Sequence, residues 1–217
     1  MSPAENVSIT PDLGLNILDD RLRLRATYTL AAYSADTRTG LASSGVSKML
    51  GFFTPRVGSR INYAAYVSGQ LRLDEFGLRA SYERVQPGFM SLGLSQIRSD
   101  QSVVRVEPSL SLADRRANLN LRLQSSRNNL AGNRVATLKR RLLMFQGHFR
   151  LSRQLNLAAV YTNINTKNDL DQSVTMLAGA DQRNIAQTIM LGPTFTFSQS
   201  DRTHVVTVNT AYQFLRD

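Results

Sequence analysis

From Val7 almost to the C-terminus, apolar and polar residues alternate with period two, the pattern of β-strands whose two faces meet different environments. At 22–30, Leu22, Leu24, Ala26, Tyr28 and Leu30 share one parity, and Arg23, Arg25, Thr27 and Thr29 share the other. At 76–83, Phe76, Leu78, Ala80 and Tyr82 oppose Gly77, Arg79, Ser81 and Glu83. About ten strands are predicted in this way. The first carries Val7, Ile9, Leu13, Leu15 and Ile17, and the third Ile61, Tyr63, Ala65, Val67 and Leu71. The fifth sets Val104, Val106, Leu110 and Leu112 against Arg105, Glu107, Ser109 and Ser111. The sixth sets Leu119, Leu121 and Leu123 against Asn118, Asn120, Arg122 and Gln124. "LLMFQGHFRLS" and "LNLAAVYTNIN" supply the seventh and eighth, and Ile185–Phe197 and Val206–Phe214 the last two.

The connections sort by length. Short polar turns are expected at 19–20, 74–75, 114–116, 152–154 and 198–201, and long loops at 36–59, 86–101, 127–139 and 167–182. The two kinds alternate strictly. A soluble antiparallel sandwich or barrel with one wet face also alternates along each strand, and it stands as the competing fold. It has no reason to sort its loops, whereas a membrane barrel does. Most strands run to about 11–15 residues, longer than globular strands and long enough to cross a bilayer at a tilt. The expected fold class is therefore all-β, an antiparallel outer-membrane-type β-barrel forming a single domain.

Composition narrows this further. Hydrophobic residues make up 42% of 217, with no Cys and no Trp. That excludes a disordered chain, a disulfide framework and a thiolate metal site. No apolar run of about 18 residues occurs, so a transmembrane helix is not expected. Lys and Arg number 26 against 16 acidic residues, a formal charge of +10, which favours anionic partners. Nucleic acid is not expected: the charges are dispersed, and no recognition motif accompanies them. The N-terminal stretch "MSPAENVSIT" has neither the basic nor the apolar region of a signal peptide. With short turns on the periplasmic side, both termini would lie outside, which together suggests part of a longer barrel.

Four stretches carry a resemblance: "SPAEN", "FFTPRVGSRINYAAYV", "YERVQPGFMSLGL" and "NRVATLKRRLLMFQGHFRLSRQLNLAAVYTNINTKND". Together they resemble the barrel region of large outer-membrane proteins of the Bacteroidota and their relatives, which show a Tyr-x-Arg-[Val/Ile]-x-Pro-Gly-x-x-[Ser/Thr]-Leu-Gly stretch. Here that stretch is Tyr82, Arg84, Val85, Pro87, Gly88, Ser91, Leu92 and Gly93. The resemblance implies a β-barrel in a bacterial outer membrane and brings no activity with it.

Candidate chemistry follows the faces. Arg25, Arg79, Glu83, Arg105, Glu107 and Arg122 share the polar parity and are candidates for lining a lumen, where carboxylates and guanidiniums would form cross-strand ion pairs. Arg134, Lys139, Arg140 and Arg141, with Arg98 and Arg127 beside them, would lie at the outer rim and could bind lipopolysaccharide phosphates. Tyr28, Tyr63, Tyr82, Tyr161 and Tyr212 are candidate interfacial aromatics. His148 falls on the polar parity and His204 on the apolar one, both near short turns, and neither has a triad partner in sight. Asn168, Asp169 and Asp171 could offer oxygen ligands to calcium, but the spacing of a calcium loop is missing, and a solvated loop is the plainer reading. The segment 36–59, with Val46, Met49, Leu50, Phe52 and Phe53, could lie on the rim or fold into the pore. No cofactor and no catalytic site is expected; other envelope proteins are possible partners. The expected role is a porin-like channel or the membrane-embedded part of an envelope assembly, with a closed scaffold or receptor barrel as the rival.

Overall fold

The computed structural model describes residues 3–42, 52–91, 98–112, 114, 116–170, 182–199 and 202–216. They form one antiparallel sheet of twelve strands, and no helix is present among them. The strands are β1 (Glu5–Ile9), β2 (Asp12–Ile17), β3 (Leu22–Ser34), β4 (Arg60–Arg72), β5 (Phe76–Val85) and β6 (Gln101–Leu112). They continue as β7 (Ala117–Asn128), β8 (Ala136–Arg150), β9 (Leu155–Leu170), β10 (Gln182–Gln199), β11 (Arg202–Thr207) and β12 (Thr210–Arg216).

From β3 to β10 each strand pairs with its neighbours in sequence, and the short strands at either end pair with β3 or β10, so the sheet is an up-and-down meander. β1 and β2 are two halves of one ribbon against β3 in a common register, interrupted at Thr10-Pro11. β11 and β12 likewise form one ribbon against β10, interrupted at Val208-Asn209. Proline at an edge is where a missing N–H does least harm to a ladder. The ten expected strands are thus ten ribbons. The closure expected of a barrel is not formed: the first ribbon pairs only with β3 and the last only with β10. The described sheet is open.

Loop lengths keep the expected alternation, with two changes of boundary. Strands β7 and β8 run to Asn128 and from Ala136, so the loop between them is shorter than the polar residues there suggested. β9 continues to Leu170, so Asn168 and Asp169 are strand residues rather than loop residues. Asp171 lies outside the described residues, as do Val46, Met49, Leu50, Leu92 and Gly93.

The register is staggered. Leu22, Leu71, Leu78 and Pro108 form one row of cross-strand partners, which Leu121, Phe145, Tyr161 and Ile189 continue beyond a gap in the ladder between Pro108 and Leu121. Leu22 begins β3 at its short turn, yet Ile189 lies ten residues before Gln199, where β10 reaches its own. The turns therefore drift by about nine residues over eight strands. At about 3.3 Å per residue and about 4.8 Å between strands, that inclines the strands by roughly 40° from the normal to the line of turns.

Very little of the protein is core. Among the described residues the buried hydrophobic ones are Ala31, Ala32, Phe53, Val85, Phe89 and Val103. All but Val103 gather at the long-loop end in two clusters, one on each face of β3. Phe89 packs with Ala31, Val85 and Ala64 on the polar-parity face. Phe53 packs with Ala32, Val7, Ile9, Leu30 and Ile61 on the apolar face.

Candidate functional site: two faces of a staggered sheet

Directly paired residues of an antiparallel sheet point to the same side, so the registers sort every strand residue onto one of two faces. The six lumen candidates Arg25, Arg79, Glu83, Arg105, Glu107 and Arg122 all fall on one face. Three ion pairs form there. Arg25 Nη2 lies 2.5 Å from Asp12 Oδ2, Arg105 Nη1 is 3.7 Å from Glu83 Oε2, and Arg122 Nε is 2.5 Å from Glu107 Oε1. Asp12 also accepts from Thr27 Oγ1, and Arg105 Nε donates to Gln124 Oε1 at 3.2 Å.

The Glu107–Arg122 pair has a local cause. Pro108 has no N–H, and the β6–β7 ladder skips Glu107 and Pro108 between Val106↔Leu123 and Ser109↔Asn120. The ion pair spans that gap. Arg79 faces Glu107 in register, yet Glu107 pairs with Arg122 instead, and Arg79 has no ion pair among the described residues. It borders two hollows on this face, of about 440 and 640 Å³. The first reaches across five strands from Gln70 to Gln146. Charge thins out toward the C-terminus: on β8–β10 this face carries Leu142, Met144, Val160, Ile164 and Met190, with Arg140 near the loop end.

The sequence did not indicate how loops cover this face. Gln86-Pro87-Gly88-Phe89 is a tight turn in which Phe89 N donates to Gln86 O at 3.2 Å. Gly88 takes φ of 74°, a value that Gly adopts freely at the third position of such a turn. The turn folds Phe89 back over Ala31 and Val85, held by Asn62 Nδ2 donating to Gly88 O and by Tyr63 N donating to Gln86 Oε1. Behind it, Asp100 is 1% exposed with φ of 62°. Its Oδ1 accepts from Leu130 N at 2.7 Å, and Arg134 Nε lies 2.8 Å from Oδ2. Asn129, φ 55°, is bonded through its side chain to Arg134, Ala136 and Thr137. Asp and Asn tolerate this left-handed backbone better than other side chains.

The other face is apolar and bare. Leu13, Leu15, Leu24, Tyr28, Val67, Tyr82, Val104, Leu123, Ile189, Leu191, Phe197, Val206, Tyr212 and Phe214 all point to it and are all exposed. All five expected interfacial tyrosines lie on it. Each falls about 8 to 12 residues beyond the centre of its nearest short turn, a band about four residues deep, and Tyr161 and Tyr212 both stand opposite Ile189. Tyr28 and Tyr63 stack with ring centroids 5.5 Å apart. On β8, Phe145 and Phe149 close over Gly147, where a Cβ would meet the Phe149 ring at 2.7 Å.

The rim cations divide between the faces. Lys139 and Arg141 are on the apolar face with Arg127, whereas Arg140 pairs with Ser126 and Thr166 on the polar face. Adjacent strand residues point to opposite sides, so a consecutive Lys-Arg-Arg triplet cannot act as one patch. Arg134 stands in the β7–β8 loop against Asp100, and Arg98 is exposed in the β5–β6 loop. His148 pairs with Asn118 on the polar face and His204 with Phe197 on the apolar face. Asp169 is held between Lys139 and Lys167, each Nζ 2.5 Å from a carboxylate oxygen.

No protein-family model, curated protein or solved structure matches the chain.

Proposed function

We propose that the chain is a β-barrel protein of a bacterial outer membrane, or part of such a barrel, acting as a porin-like channel or as the membrane-embedded part of an envelope assembly. The observation that carries this is the exposed apolar face combined with the near absence of a core. The chain exposes 15192 Å² at 24.1 kDa, where a globular monomer of that mass exposes about 10,000 Å². Apolar side chains spread in a sheet with no second layer need an apolar solvent, and lipid supplies one. A soluble sandwich would have covered them. The inclination of roughly 40° lies in the range that closed membrane barrels require, and closure needs an edge partner for both end ribbons, from this chain or from another. The turn Gln86–Phe89 belongs to the stretch that resembles Bacteroidota outer-membrane barrels.

Under this reading the polar face lines the interior. Arg79, without an ion pair and bordering two hollows, is the cation best placed to meet an anionic solute. The rival, a non-conducting scaffold or receptor, is favoured by one observation: Phe89 and its turn lie over the polar face and narrow the space above it. Planar-bilayer conductance of the inserted full chain separates the two. Anion-selective conductance that shifts toward cations in Arg79→Glu and Arg105→Glu supports the channel. A well-inserted protein with no conductance leaves the scaffold. A chain that is monomeric and soluble without detergent overturns the membrane reading itself.

A further inference from the structure

Above the tyrosine level, the apolar face changes character. Arg127, Lys139, Lys167 and Arg183 are consecutive direct cross-strand partners on β7, β8, β9 and β10. Arg84 continues the same row on β5 beyond Ser102 but, because of the stagger, falls within the tyrosine band, and Arg141 lies on the next same-face row toward the short turns. Like charges placed directly opposite one another destabilise a sheet, and here three such pairs follow in succession. Among the described residues, the acid facing them on this side is Asp169, which balances Lys139 and Lys167 and leaves Arg127, Arg141 and Arg183 in excess. Arg183 has a neutral partner, Asn165 Oδ1 at 3.4 Å. A hollow of about 230 Å³ opens at the end of the row, under the β7–β8 loop, lined by Arg127, Arg134, Thr137, Lys139 and Asp169 among others. Arg134 uses Nε toward Asp100 and keeps its terminal nitrogens for another acceptor.

Resting on the membrane reading above, we propose that this row and hollow are a docking site for the phosphorylated headgroup of a membrane lipid. The order of layers supports it: exposed aliphatic and aromatic side chains toward the short turns, tyrosines next, then cations. An amphiphile with acyl chains and phosphate at one end fits that order, its phosphates against the guanidiniums as charge-assisted hydrogen bonds. On the N-terminal ribbons, the apolar residues Ile61, Ala32 and Val7 reach the same height. There Phe53 folds over them, and the strand row itself carries no cation. The site is confined to β7–β10 and the loop above it.

The test uses the full chain inserted in phosphatidylcholine vesicles, with and without diphosphoryl lipid A, followed by native mass spectrometry of the detergent-extracted protein. Wild type is expected to retain the diphosphorylated lipid and not its dephosphorylated analogue. Arg127→Gln/Arg141→Gln should reduce retention about tenfold or more, and Arg127→Gln alone should show a partial loss if the double variant inserts poorly. Arg25→Gln/Arg79→Gln, which removes equal charge from the opposite face, should retain lipid as wild type does. Equal retention by wild type and the Arg127/Arg141 variant overturns the proposal, as does equal loss in the opposite-face control. Displacement of the lipid by millimolar inorganic pyrophosphate, with pyrophosphate bound in its place, would make this a free-phosphate site and overturn the lipid assignment. Failure to insert even into neutral vesicles would instead overturn the membrane reading.

Discussion

The two faces of this sheet share every backbone hydrogen bond, and their side chains solve opposite problems. On the polar face, charges find carboxylates and amides within the sheet, and a loop phenylalanine closes over alanines at one end. On the apolar face, leucines, valines and tyrosines find almost nothing of the protein to touch, except where Phe53 covers one sector. The stability of such a sheet resides in its ladders and in whatever medium meets the bare face. Burial inside the protein contributes at only two small places, back to back across Ala31 and Ala32.

A charge placed on the bare face should break this contrast most strongly. Leu121→Arg, in the middle of the apolar band, is expected to cost about 2–4 kcal/mol of stability in lipid. Gln146→Arg, on the polar face of the adjacent strand, should be near neutral. Urea titration of the vesicle-inserted variants measures both, and equal costs would refute the division into faces. Next come the two phenylalanines. Burying a phenylalanine side chain under a loop that can release is worth about 1.5–3 kcal/mol, so Phe89→Ala and Phe53→Ala should each release their own loop. Amide exchange should quicken around 86–91 in the first and around 52–57 in the second; if both loops loosen together, the clusters are not independent.

A smaller effect is expected from Asp100→Ala, which strands the Leu130 N–H and puts alanine at a left-handed φ. About 1–3 kcal/mol follows from the lost acceptor, read as faster proteolytic nicking in the loops at 86–100 and 129–135. Smallest is Glu107→Gln, which breaks a half-exposed pair worth about 0.2–1 kcal/mol. Its stability change should be barely measurable. A large loss would show that the pair is essential to the ladder gap at Pro108.

Much of this was legible in the sequence. Alternation assigned the faces correctly wherever residues were divided between them, the seventh and eighth strands being placed only as stretches, because a period of two follows directly from strand geometry, and turn chemistry located the five short turns. Two features escaped for physical reasons. The positions of Phe53 and Phe89 depend on how a loop folds back, and the spacing of apolar residues along the chain does not encode that. Asp100 and Asn129 look like ordinary loop residues until their partners, thirty and eight residues away, are in place. One feature was legible and missed. Lys139, Arg140 and Arg141 were grouped because they are contiguous, although the same alternation that sorted every strand already separated Arg140. Arg183 and Lys167 were overlooked as members of the cationic row because they lie far apart in sequence. The register of each strand pair brings them together, and that register depends on the turns and loops between the strands.

The meander also has a kinetic consequence. Every pairing joins ribbons adjacent in the chain; five hairpins close over tight turns and the other four over longer loops, whose entropy of closure rises only slowly with length. Growth of the sheet is then a zipper that can start at any of the five tight turns and spread both ways. Under the barrel proposed above, the costly event would come last, when the two outermost ribbons find edge partners. A chain caught before that step would present two free β-edges, and a short peptide copying Thr210–Arg216 should compete for the position β12 holds and stall assembly there.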